Sequence, residues 1–254
     1  MIQRKDLIKY LEELFVEVNY PDYSYNGLQF EGKENVSRIV AGVDATVEFF
    51  NKAQQKKADF AVVHHGLFWK GAEWTRLDRI NQKIFRALDK SGLNLYALHL
   101  PLDAHPELGN NSEMARILGL KVVAPFGGGR NPIGVLGHFA RPVSVETFKE
   151  KIAKFIGPVV THLNFGKKSV KSVAIVSGGG WSYVTDPLVY NGEVDLILTG
   201  EIIHQGVAAC KDREIHMISA GHYATEVFGV KALGQHLAKK FKLEYEFIDL
   251  PTGL

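Results

Sequence analysis

Three apolar runs separated by helical stretches constrain this chain more than any other feature. "SRIVAGVDA" (37–45), "DFAVVHHG" (59–66) and "LNLYALHLPLD" (93–103) read as strands, and the central ones are too continuously apolar to have a wet face. Between the first two lies "TVEFFNKAQQKKA" (46–58), with apolar residues at helical spacing and Thr46 as its N-cap. Between the second and third lies "INQKIFRALDKSG" (80–92), also helical. Strand alternating with helix is the βαβ pattern of a parallel sheet covered on both faces.

The second half repeats that layout. "VSVETFKEKIAKFIG" (143–157) reads as a helix, "VKSVAIVSGGG" (170–180) as a strand entering a glycine turn, and "YVTDPLVYNG" (183–192) as a helix. "VDLILTGE" (194–201) follows as a strand, and "ADFAVVHHG" and "VDLILTGEIIH" share one plan: an Asp, an apolar run, then polar chemistry at the strand's carboxyl end. We therefore expect two related α/β lobes, 1–126 and 127–254, each a mixed or parallel sheet flanked by helices, joined around "APFGGGRNPIG". The C-terminal helix "TEVFGVKALGQHLAKKF" packs back on the first lobe in this reading, and "LEYEFIDL" is a last strand. At the other end of the chain, "MIQRKDLIKYLEELF" is an amphipathic helix rather than a signal peptide.

Composition narrows the chemistry. The 254 residues are 46% hydrophobic and 23% charged, with a formal net charge of +2. That balance suits an ordinary globular protein and argues against nucleic acid as the partner. No apolar run approaches the roughly 18 residues that span a bilayer, so a cytoplasmic protein is expected. One cysteine, Cys210, stands against ten histidines. An intramolecular disulfide and a thiolate-rich metal site are excluded, and any metal must be held by His, Asp and Glu.

Three segments bring such residues to one sheet edge. His64 and His65 end the second strand, where open α/β sheets bind ligands. Neighbouring residues of a regular strand face opposite ways, so a backbone turn at Gly66 would let the pair hold one ion each or straddle two. His99 and Asp103 close the third strand, and Asp103 has two oxygens with which to bridge two cations. In "SAGHYATEVFGV" (219–230), His222 and Glu226 stand four apart on a helix, a chelating spacing. Taken singly, each has a bland alternative: a core histidine, a turn cap, a surface pair. Together they supply five ligands, His64, His65, Asp103, His222 and Glu226, enough for two divalent ions such as Zn, Fe or Mn.

Other residues are assigned lesser parts. Glu201 and His204 follow the "LILTG" strand as proton carriers or helix caps. His99 fixes the orientation of a ligand. Trp69 and Trp74 form a stacking wall or pack in the core. Gly178, Gly179 and Gly180 make a tight turn or seat a phosphate. Asn111 or Ser112 caps the helix "NNSEMARILGL". His105 faces solvent, and His138, His162, His216 and His236 are structural.

"DYSYNGLQFEG", "VVHHGLFWKG", "HLPLDAHPELGNN", "TGE" at 199–201 and "GHYATE", in that order, resemble the NIF-three-like dinuclear metal-centre family, whose members often bear the name GTP cyclohydrolase I type-two homologue. The resemblance runs from about residue 7 to the C-terminus. It implies a fold of two α/β lobes, a toroidal homohexamer, and metal ligands at His64, His65, Asp103, His222 and Glu226. The chain looks like the short form, without the domain that longer members insert between the lobes. Where some members carry two adjacent histidines after the "TG(D/E)" strand, this chain has His204 and Gln205. The activity implied is metal-dependent hydrolysis of a nucleotide or purine-type substrate. The alternatives are a non-catalytic ring that binds, handles or is built around metal, and a ring whose inner wall concentrates positive potential on nucleic acid.

Overall fold

The computed structural model describes residues 1–18, 20–71, 77–127 and 129–254. Trp74 and Gly128 lie outside the described residues. In chain order the elements are β1 (Ile2–Gln3), α1 (Arg4–Leu14), β2 (Gly27–Phe30), β3 (Asn35–Val36), β4 (Arg38–Asp44), α2 (Val47–Gln55), β5 (Phe60–His65), α3 (Arg79–Ser91), β6 (Asn94–Ala97) and α4 (Leu100–Ala104). They continue with α5 (Asn110–Leu118), β7 (Lys121–Phe126), β8 (Gly134–Ser144), α6 (Val145–Phe155), β9 (Thr161–Asn164) and β10 (Ser169–Val176). A 3-10 turn (Gly180–Thr185) precedes α7 (Pro187–Tyr190), β11 (Leu196–Thr199), α8 (His204–Asp212), β12 (His216–Ser219), α9 (His222–Phe241) and β13 (Glu244–Phe247). No described helix is long and apolar enough to cross a membrane.

The chain forms two compact lobes. The first holds Met1–Leu102 and Val230–Leu250; the second holds Asp103–Gly229 and Pro251–Leu254. The division thus falls at Leu102 and not at 126. The cause is a strand pairing: β7 and β8 are an antiparallel hairpin within the second lobe's sheet. Of "APFGGGRNPIG", read as a junction, Ala124, Pro125 and Phe126 end β7 and Gly134 opens β8.

In the first lobe the sheet order is β13-β4-β5-β6-β2. β13, β4, β5 and β6 run parallel and β2 is antiparallel at the edge. Phe49, Phe50 and Ala53 of α2 and Leu88 of α3 pack with Val40, Val63 and Leu95. Thr46 caps α2 as expected, its side chain accepting from Phe49 N. The second lobe's order is β7-β8-β10-β11-β12-β9, with β10, β11 and β12 parallel. Its core has one cluster around Phe148, Ile152 and Ile175 and another around Phe126, Ile197 and Met217. Ser144 caps α6 by accepting from Thr147 N. Each lobe therefore has three adjacent parallel strands, β4-β5-β6 and β10-β11-β12, whose carboxyl ends lie side by side. The expected likeness of "DFAVVHHG" to "VDLILTGE" falls on the central strand of each triplet, β5 and β11.

Several local expectations change. α5 is capped at Gly109 with no side-chain bond, and Asn111 and Ser112 are buried inside it. "YVTDPLVYNG" forms a 3-10 turn and one short helix, α7, whose N-cap Asp186 accepts from Leu188 N. His105 is buried, 7% exposed, its Nδ1 accepting from the backbone of Glu107 and Leu108. Of the histidines read as structural, His162 Nε2 lies 3.3 Å from His216 Nδ1, and His236 Nε2 lies 2.6 Å from the Tyr10 hydroxyl. Cys210 is a buried thiol, and burial pushes its pKa up to about 11.

Asp59 fixes the opposite, amino end of the first sheet. It is 7% exposed. Its Oδ2 accepts from Ser37 N (2.9 Å), Ser37 Oγ (2.7 Å) and Arg38 N (3.1 Å), and Oδ1 accepts from Lys33 Nζ (2.7 Å). Burial alone would raise the carboxyl's pKa, but these donors hold it below the ordinary 3.8. We expect Asp59→Ala to destabilise the fold by about 2 kcal/mol, because the part-buried amides of Ser37 and Arg38 lose their acceptor. A urea melt would show this as a lower midpoint at an unchanged slope. The Asp59 contribution is full above the ordinary carboxyl pKa and is lost as pH falls through the lower folded value.

Candidate metal centre

Strands buried on both faces leave their polar chemistry to their ends, and each lobe collects such ends. In the first lobe, β4 ends at Asp44, β5 at His64 and His65, and β6 runs into His99 one residue beyond Leu98. One ligand nitrogen from each of His64, His65 and His99 lies within 4.8 Å of the other two. Both adjacent histidines still belong to β5, so no turn at Gly66 is needed to gather them. The His64 and His65 rings are 4.7 Å apart between centroids.

Each of the three rings is held through the same nitrogen. His64, fully buried, places Nδ1 2.9 Å from the Leu98 carbonyl oxygen. His65 Nδ1 lies 2.8 Å from Asp44 Oδ1, and His99 Nδ1 lies 2.8 Å from Asp22 Oδ1. A carbonyl or carboxylate oxygen only accepts, so Nδ1 carries the proton in each ring. Nε2 then bears the lone pair that binds metal, the arrangement typical of metal-ligating histidines. Burial works to raise the Asp22 pKa, yet the bond and charge of His99, with donors from Asn26 and Ser24, bring it down to about 2. Trp69 stands edge-on to His99 at 5.0 Å and tilted to His65 at 5.8 Å. Trp69, read as a stacking wall or a core residue, thus stands beside the histidines.

In the second lobe, β10 runs into Ser177 and Gly178, β11 into Gly200 and Glu201, and β12 into Gly221 and His222. His222 opens α9 with Glu226 one turn on, as their spacing implied. His222 Nε2 is 3.1 Å from Glu226 Oε1, and Nδ1 is 2.6 Å from Glu201 Oε1. The hydrogen bond to Glu226, opposed by burial and helped by both carboxylate charges and the Glu201 bond, raises the His222 pKa from 6.5 to about 9. Glu226 is buried at 3% exposure.

Gly178 joins these strand ends. Its N–H donates to Thr225 Oγ1 (3.0 Å), and its carbonyl accepts from Gly200 N (2.9 Å), Glu201 N (3.0 Å) and Thr199 Oγ1 (3.0 Å). Its φ is +59°, and an added Cβ would stand 2.4 Å from Glu226 Oε1. Only glycine meets both demands. The glycine turn is thus structural and sits against the candidate ligands.

Asp103 lies on α4 rather than at a strand end, because its chain turns helical directly after His99. It is 5% exposed, and Oδ1 accepts from Asn110 Nδ2 (2.8 Å) and Ser177 Oγ (2.6 Å). Asn110 Oδ1 also accepts from Gly229 N (2.6 Å). Asn111 donates to the carbonyls of Asp103 and Ile133 and accepts from Ser177 N. Asn111, expected as a helix cap, bonds the Asp103 backbone instead, and Asn110 orients the Asp103 carboxylate. His204 opens α8 as an exposed residue. Glu201 touches His222, and His99 offers a ligand nitrogen of its own. Sequence reading missed Asp22, Asp44, Asn110 and Ser177. Asp22 stands in the turn-forming run "YPDYSYNG", and nothing local to it, Asp44 or Ser177 shows which distant side chain it meets.

The sequence of this chain matches the family described as Duf34/NIF3 (NGG1p interacting factor 3) over residues 2–252. A "GTP cyclohydrolase 1 type 2 homolog" of Pyrococcus horikoshii is 41% identical over 255 residues, covering 100% of both chains. One of Deinococcus radiodurans is 36% identical, covering 100% of this chain and 95% of its own. Among solved structures, the protein ybgI, described as of unknown function, superposes with a TM-score of 0.92 at 35% identity over 100% of both chains. TTHA1606 from Thermus thermophilus gives 0.89 at 37% identity, again over 100% of both.

Two measurements follow from the geometry. Metal-free His222 carries a proton at pH 7, and ligation must expel it. We expect about one proton released per ion bound at His222 at pH 7, and affinity rising about tenfold per pH unit until it levels near pH 9. Calorimetry in buffers of different ionisation heat reads the proton directly, and zero release would remove His222 from the ligand set. In the metal-free fold the same raised pKa adds stability that is full below pH 6.5 and lost as pH climbs through 9. Separately, Asp44→Ala and Glu201→Ala should each weaken metal binding by about 10–100-fold while leaving the unfolding midpoint nearly unchanged.

Proposed function

Because the chain belongs to the Duf34/NIF3 family, we propose that it is a metal-dependent hydrolase acting on a nucleotide or related purine, with two divalent ions held by His64, His65, Asp103, His222 and Glu226. The observation that carries this reading is the set of imidazoles whose Nδ1 atoms are tied to oxygen acceptors, which presents Nε2 to a cation. The donors are nitrogen and carboxylate oxygen, which suits Zn, Fe or Mn. The chain's one thiol, at Cys210, is buried and protonated. Bound ions would supply Lewis acidity and bring the pKa of a bound water toward neutrality.

The chain's own residues supply the rest in this reading. Asp44 and Glu201 hold His65 and His222 in register. Ser177 and Asn110 aim the Asp103 carboxylate. Trp69 gives the histidine group an apolar wall that a purine ring can stack on. His204, exposed at the start of α8, exchanges protons with solvent. A GTP cyclohydrolase reaction would attack the imidazole part of guanine and release formate; this substrate comes from the family resemblance and the relatives' names. The toroidal homohexamer and the cytoplasmic location rest on the same resemblance and on the sequence.

The deciding experiment is metal analysis of wild type beside His64→Ala and Glu226→Ala, each then incubated with GTP and a nucleotide panel. We expect about two ions per wild-type chain, fewer in either variant, and product release that falls at least about 100-fold in His64→Ala with the fold retained. Two ions with no turnover of any nucleotide would overturn the hydrolase reading and leave a metal-handling protein.

A further inference from the structure

We infer that the exposed face of α3 binds the phosphodiester backbone of a nucleic acid. Arg79, Lys83, Arg86 and Lys90 are all exposed on this helix. Spacings of four, three and four residues at 3.6 per turn place them within an arc of about 60°, in a row about 16 Å long. The arc is centred opposite Leu88, which is fully buried in the first lobe's core. The row therefore faces straight out to solvent.

The row carries one sign along its whole length. Asp89 is the one acidic residue of α3, and it falls about 60° beyond the edge of the arc. None of the four cations is ion-paired among the described residues, and Arg86 Nη2 donates to Gln82 Oε1 (3.0 Å). Other helices of this chain set an acid three or four residues from a cation: Lys52 with Glu48 on α2, Arg116 with Glu113 on α5, and Lys149 with Glu146 on α6. On α3 the same spacings bring like charges together, which disfavours the helix. Arg79 adds a cation at the positive, N-terminal end of the helix dipole. Folding gains nothing from this arrangement, and a linear polyanion does.

A phosphodiester strand has the matching chemistry. It carries one charge per about 3.4 Å of helix axis, so about five phosphates lie along the row. Two of the cations are arginines, whose planar forks pair bidentately with phosphate. A lipid surface is met by a helix that turns its apolar side outward, whereas the apolar side of α3 faces the core. The chain's net charge of +2 conceals the row, because the balancing acids lie elsewhere.

The probe is a fluorescein-labelled DNA duplex of about 20 base pairs, its anisotropy read against the full chain in EDTA. The chelator keeps metal from the histidine group, so the outcome is independent of the hydrolase reading. Four phosphate contacts give a slope of about −3.6 in log affinity against log salt, a loss of about 150-fold between about 50 and 200 mM. Lys83→Gln or Arg86→Gln should each flatten that slope by about 0.9 without lowering the unfolding midpoint. Lys239→Gln, at an exposed position on α9, should change neither. Lys83→Glu combined with Arg86→Glu should remove binding. No binding by the folded wild-type chain at the lower salt, a slope indifferent to the α3 changes, or equal sensitivity to Lys239→Gln would each overturn the proposal. Equal affinity for phosphatidylserine vesicles or for polyglutamate would overturn it too.

Discussion

A parallel strand covered by helices on both faces has nowhere along its length to keep a charged group. That single constraint orders the molecule. β4, β5 and β6 in one lobe, and β10, β11 and β12 in the other, are apolar through their middles. Their polar residues are displaced to the carboxyl ends, where the chain leaves the sheet and loops can be reshaped without disturbing the core. Because the strands of each triplet are hydrogen-bonded neighbours, their ends come within side-chain reach of one another. Asp44, His65 and His99 gather in this way, as do Gly178, Glu201 and His222.

Holding an imidazole for metal requires more than placing it. The ring can rotate and can carry its proton on either nitrogen, and only one of those states presents a lone pair in a useful direction. The first lobe fixes this with three different acceptors: a main-chain carbonyl for His64, a half-buried carboxylate for His65, and the strongly acidic Asp22 for His99. The second lobe works differently. There His222 is bracketed by two carboxylates and stays charged in the metal-free protein, so its ligand nitrogen becomes available in exchange for a proton.

The periodicity of the apolar runs is local information, and it carried the parallel strands and the major helices but not the antiparallel strands β2, β7, β8 and β9. The histidine pair and the His222–Glu226 spacing were legible because backbone geometry alone puts them at a strand end and on one helix face. What could not be read was long-range partnership. Asp22 meets His99 across 77 positions, and Ser177 meets Asp103 across 74; no local pattern marks either. Asn110 and Asn111 look like cap residues because short polar side chains favour helix starts, yet burial beside Asp103 recruits both. The lobe boundary was misplaced for a related reason. Gly127, Gly129 and Pro132 signal a break, and a hairpin turn needs the same residues as a linker.

Gly178 gives the second lobe's polar edge a shared fate. One carbonyl receives the amides of Gly200 and Glu201 and the hydroxyl of Thr199, while the amide of the same residue engages Thr225 within the first turn of α9. Glu201 and the start of α9 are therefore tied to one residue, Gly178, through its two flanking peptide groups. A fluctuation that lifts this turn would loosen the carboxylate and the imidazole it orients in a single event, so the edge should open and close as one cooperative unit rather than residue by residue. Such an edge spends nearly all its time either fully assembled or fully released, and admits few half-formed arrangements between.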